Sequence, residues 1–153
     1  MARRMRAAFP ILAVAIGLCA LAAVALAARP NQVKGGSYKG GLLPASRGVR
    51  VSFKVSRDGR TVTLLRITNT PLYCEGGGPA TPVHFKNASI SSSGRFTSAG
   101  RYVIKVGPLK GEVGTRLQIT GRFLNARREQ GTLTTTYLKA PKCSGRSPYA
   151  TKA

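Results

Sequence analysis

The strongest constraint on this chain is a hydrophobic period of two. Val49-Arg50-Val51-Ser52-Phe53-Lys54-Val55 alternates apolar and polar residues without a break. Successive side chains of a strand point to opposite faces, so this segment can bury one face of a sheet but cannot form an apolar helical stripe. Ser56-Arg57-Asp58-Gly59-Arg60 follows. Asp-Gly between two such runs marks a hairpin, because both residues tolerate the positive φ of a tight turn. Residues 61–68, TVTLLRIT, return as the partner strand. Residues 115–123 repeat the alternation, with Leu117, Ile119 and Phe123 on one side and Arg116, Gln118 and Arg122 on the other.

Other segments fit the same scheme. Residues 83–90 and 95–97 flank the small polar turn Ser91-Ser92-Ser93-Gly94, and residues 101–106 form a strand stopped by Gly107-Pro108. After a polar connection at 127–131, residues 132–138 are rich in β-branched and aromatic types. Gly36-Ser37-Tyr38-Lys39-Gly40-Gly41 opens the domain as a first short strand. No helical stripe, internal repeat or second domain is visible after residue 28. Seven or eight short strands with Gly, Pro and Ser between them predict one all-β domain over 36–153. Its expected form is an antiparallel β-sandwich or a jelly-roll-like barrel.

The N-terminus is of another kind. Arg3, Arg4 and Arg6 precede an uncharged apolar run over 7–28, which closes with Ala25-Leu26-Ala27. A basic start, an apolar stretch and small residues at the cleavage positions predict a secretory signal over 1–27, followed by a flexible lead-in over 28–35. The alternative is an uncleaved N-terminal anchor, since the run is long enough to span a bilayer. Both readings place the domain outside the cytoplasm. Leu18 before Cys19 does not suit lipoprotein processing, and Leu43-Pro44-Ala45-Ser46 lacks the hydrophobic tail of a sortase signal.

Removal of the signal takes Cys19 and leaves Cys74 and Cys143. In an exported chain such an even pair is expected to form a disulfide, which would close a long loop and contribute about 4 kcal/mol. No second Cys or His stands at ligand spacing, so neither a metal nor a cofactor is expected.

Several short patterns occur in order: Gly36-Ser37-Tyr38-Lys39-Gly40, a V-x-F-x-V-S-x-D-G-x-x-V hairpin over 51–62, Gly121-Arg122-Phe123, and Cys143-Ser144-Gly145 with Tyr149-Ala150. Together they resemble a loosely defined group of small, uncharacterised exported bacterial β-sandwich domains. Tyr149 stands where that group often has Trp. The resemblance implies an all-β fold and export, and it brings no activity and no catalytic residues.

The composition leaves little for acid–base chemistry. The 153 residues include one His and four acids: Asp58, Glu75, Glu112 and Glu129. A Ser-His-Asp triad would have to use His84 and Asp58, yet Asp58 is explained by its turn, and no G-x-S-x-G elbow is present. Glu75 and Glu112 are the one loop pair that could face each other as in a glycosidase, and ion pairing with basic neighbours accounts for them more simply. Gly76-Gly77-Gly78-Pro79 lacks the Lys-Ser/Thr and the helix of a phosphate loop. Asn87-Ala88-Ser89 fits a glycosylation sequon in pattern alone. The chain is expected not to be an enzyme. The rival reading is an enzyme or enzyme inhibitor acting through the loop around Cys74 to Pro82.

Charge is the feature that asks for a partner. Lys and Arg number 25 and the formal net charge is +21; cleavage after Ala27 would remove three arginines and no acid, leaving +18. Apart from Arg127-Arg128, the bases after the signal are scattered singly. Arg50 and Lys54, Arg101 and Lys105, and Arg116 and Arg122 each fall on the outward side of an expected strand. If those strands share a sheet and a register, the six cations form one basic plate. Such a plate attracts polyanions by counterion release and long-range steering. For an exported monomer the candidate partners are anionic wall polymers, acidic polysaccharides and anionic lipid surfaces. The tyrosines are not clustered with these bases, so no specific nucleic-acid readout is expected. The competing account is a solvated basic face that serves solubility without any ligand.

Overall fold

The computed structural model describes residues 34–44, 48–70, 81–139 and 143–153. The expected signal segment, Cys74, Glu75 and the glycine run after them lie outside the described residues. Nine strands occur among the described residues: β1 (Ser37–Leu42), β2 (Arg50–Val55), β3 (Thr61–Thr70), β4 (Thr81–His84), β5 (Ala88–Ser89), β6 (Arg95–Val103), β7 (Val113–Asn125), β8 (Arg128–Tyr137) and β9 (Cys143–Lys152). No helix among the described residues is long and apolar enough to cross a membrane.

All pairings are antiparallel, and they run in the order β4-β3-β2-β1-β9-β8-β7-β6, with β5 also on β3. Apart from β5, chain neighbours from β1 to β4 and from β6 to β9 are sheet neighbours, and the first strand meets the last. At the remaining seam, Phe85 bridges to Gly100 and the Lys86 N–H donates to the Ala99 carbonyl at 3.1 Å. The Ser98 hydroxyl donates to the Lys86 carbonyl across the same seam. Of the expected antiparallel β-sandwich or jelly roll, the all-β, antiparallel part is what the structure shows: the described strands form one nearly closed sheet.

Alternation decides what enters the lumen. On β7, Thr115, Leu117, Ile119 and Phe123 are buried, while Arg116, Gln118, Thr120 and Arg122 are exposed. At one end of the barrel, Tyr38 stacks on Phe53 at 5.0 Å between centroids, and Phe123 meets Tyr38 edge-on at 5.3 Å. Phe96 completes the group at 5.6 Å from Phe53. These rings come from β1, β2, β6 and β7, so they fill the lumen from opposite walls. The interior is a packed core and not a channel.

Tight connections close that aromatic end. In the β2–β3 turn, the Arg60 N–H donates to Asp58 Oδ1 at 3.0 Å, the Ser56 hydroxyl also donates to that carboxylate, and Gly59 takes φ +73°. The β5–β6 turn uses Ser91 and Gly94 in a similar way, with Gly94 at φ +72°. Ala126-Arg127 alone joins β7 to β8, and the Tyr38 hydroxyl donates to the Ala126 carbonyl at 2.7 Å. The connection over 104–112 lies at the other end, between β6 and β7.

Candidate functional site

The sequence analysis names six cations, and all six are exposed. The structure does not gather them into one plate. Arg101 stands directly opposite Arg116 on β6 and β7, and Arg122 lies further along the same outer face. Arg50 and Lys54 are on β2, which is separated from β7 by three strands in either direction around the barrel. Lys105 lies beyond Val103, where β6 ends, in the connection to β7. Closure explains the failure: outward residues of distant strands on a curved sheet point away from one another.

Closure also produces a pairing that the residue pattern did not suggest. Arg122 sits opposite Arg95, so the β6–β7 ladder carries two arginine–arginine pairs, one toward each end. Between them Ala99 faces Gln118 and Thr97 faces Thr120. Directly opposed residues have Cβ atoms about 5 Å apart, and like charges in that position are destabilising. No carboxylate forms an ion pair with these four arginines among the described residues. Arg95 escaped notice because residues 95–97 and 101–106 read as two strands. Read as one strand, an even spacing of six places Arg95 and Arg101 on one face.

The described acids are committed elsewhere. Glu112 pairs with Lys139 near the longer connections. Asp58 is held in its turn, where the Ser56 hydroxyl and then the Arg60 N–H keep its carboxyl below the usual range. Glu129 is buried in the barrel. Its Oε1 accepts from the Tyr149 hydroxyl at 2.6 Å, and its Oε2 accepts from the Thr151 hydroxyl at 2.7 Å. Loss of water pushes its carboxyl up to about 7, against the opposing effect of both hydroxyl donors. Burial and the adjacent Glu129 raise the Tyr149 hydroxyl well above its ordinary range. The sequence analysis placed Glu129 in a polar connection; it is instead the second residue of β8 and points inward.

The residues considered for hydrolysis do not form a site among the described residues. His84 is exposed on β4 opposite Arg66, and the concavities it lines do not include Glu112. No group of three His, Cys, Asp or Glu could hold a metal among the described residues. Cys143 opens β9, while Cys74 and most of the rival loop lie outside the described residues. No family model, curated protein or solved structure matches this chain. The outer face of β6 and β7 is the candidate interface.

Proposed function

We propose that this chain is an exported, non-enzymatic β-domain that associates by charge with anionic polymers of the cell envelope or extracellular space. The observation that carries the reading is the doubled arginine pair on β6 and β7. A fold that sets Arg95 against Arg122 and Arg101 against Arg116, with no ion-paired carboxylate on them among the described residues, accepts repulsion. A polyanion laid over that face reverses the sign of the interaction and releases its own counterions. The basic n-region and the Ala25-Leu26-Ala27 site support export. Export in turn supports a Cys74–Cys143 bridge, which non-reducing mass spectrometry tests; two intact thiols would remove it.

Retention on immobilised heparin or wall polymer at rising salt tests the association. The expected result is tight retention at low salt and a linear fall of log affinity with log salt. Absence of retention at low salt, or retention indifferent to salt, overturns the reading.

A further inference from the structure

Two basic concavities indent the outer face on either side of β4. The larger, about 690 Å³, is lined by Lys86, Arg101 and Arg116 together with Gln118, Thr134 and Thr136. The smaller, about 290 Å³, is lined by Lys39, Lys54 and Arg66 around Leu64. His84 lines both. Cross-strand register continues the band, since His84 faces Arg66, Arg66 faces Ser52, and Ser52 faces Lys39. The band thus crosses β1, β2, β3, β4, β6, β7 and β8, which at about 4.8 Å per strand is an arc of roughly 29 Å.

We propose that this band seats a linear anionic polysaccharide across the strands, passing over His84 from one concavity to the other. The inference rests on the polyanion reading above and adds the shape and chemical class of the ligand. Among the described residues, six Lys and Arg cations line the two concavities and no carboxylate does. The hydroxyl and amide groups of Thr134, Thr136, Gln118 and Ser52 stand among those cations, a mixture that suits sugar hydroxyls beside acidic groups. Phe85, Phe53 and Tyr38, the lining aromatics, are 8%, 2% and 0% exposed. Bases of a single-stranded nucleic acid therefore find no phenyl or phenol ring to stack on, and His84 alone offers an exposed one. A flat bilayer touches a barrel along one side, whereas a flexible chain can follow the arc into both concavities.

The test titrates the full chain at low salt with heparin fragments graded in length. Fragments long enough to reach both concavities bind about tenfold or more tighter than short ones, a gain of about 1.4 kcal/mol. R66E and R116E, one in each concavity, each abolish that gain, and R57E, an equal charge change in the β2–β3 turn, leaves it within about threefold. R66Q and R116Q repeat the comparison without charge reversal if either reversal fails to fold. Binding that ignores fragment length overturns the proposal, as does sensitivity to only one of the two concavities. So does stronger competition by single-stranded DNA or anionic phospholipid vesicles than by the long glycan. In these outcomes the general polyanion reading survives; failure of every polyanion to bind removes both.

Discussion

Burial strips water from the Glu129 carboxyl, and two hydroxyl donors replace only part of it. The groups that hydrogen-bond it are the Tyr149 and Thr151 hydroxyls of β9, Gly121 of β7 lies close to its Oε1, and Lys39, Arg128 and Lys152 line the concavity beside it. The folded chain therefore holds a proton on Glu129 up to about pH 7, against 4.5 for a free carboxyl. The folded state binds more protons than the unfolded one between those values, so stability falls as pH rises through that window and levels off above it. The rise corresponds to roughly 3 kcal/mol. Urea titrations at stepped pH should record that decline, and E129Q should remove it. An unchanged slope in E129Q would assign the pH dependence to another group. The same neighbourhood depends on Gly131, where a Cβ would stand 2.7 Å from the Tyr149 ring and closer still to the Thr120 carbonyl. G131A should cost about 1–3 kcal/mol in the same assay, because ring and backbone must move to admit one methyl. A neutral G131A would mean that the β7–β8–β9 wall is more loosely packed than these contacts require.

At the scale of elements, alternation was legible and curvature was not. The β2–β3 hairpin follows directly from Val49 to Val55 and the Asp58-Gly59 turn, and the inward and outward sides of β7 match its sequence pattern. β6 reads as two segments in the sequence and β9 carries no strand signal there, each for a physical reason. Gly100 looks like an interruption of β6, yet it is a seam residue: a Cβ there would lie 3.0 Å from the Phe85 ring, so glycine lets β4 and β6 approach. β9 has no apolar alternation before Tyr149, because Gly145, Arg146 and Pro148 are exposed and its pairing with β8 and β1 supplies the order. The candidate interface was half legible for the same reason. Outward direction comes from the strand period, whereas proximity comes from strand order, which no short pattern encodes. The arginine ladder gives this a measurable form. R116T should leave the fold intact and raise stability at low salt by about 0.2–1 kcal/mol, since it relieves repulsion against Arg101. It should also weaken retention on heparin. Loss of stability in R116T would mean that Arg116 is held by an attractive contact rather than opposed by a repulsive one.

For the whole molecule, the joint between β1 and β9 makes the sheet nearly continuous. Lys39 pairs with Lys152 and Leu42 with Tyr149, so the end of β9 lies beside the start of β1. The Ala153 N–H donates to the Arg127 carbonyl at 3.1 Å, which fixes the C-terminus at the aromatic end, where Tyr38 enters the core. A nearly closed sheet leaves little open edge for intermolecular pairing, and β9 pairs with β1 and β8 at once. The order of elements along the chain is then less important than their order around the wall. A permutant that joins Ala153 to Gly36 through about four turn-forming residues, and begins between Ser92 and Ser93, preserves every pairing in the wall. Both new ends fall in an exposed turn. It should fold cooperatively with unchanged aromatic circular dichroism, because the Tyr38, Phe53, Phe96 and Phe123 cluster is reassembled from the same strands. Deletion of residues 143–153 should instead expose two long edges and give aggregates in size-exclusion chromatography. A soluble, folded deletion together with an unfolded permutant would reverse the argument, placing stability in chain order and leaving β9 as an accessory to a sheet that does not need closing.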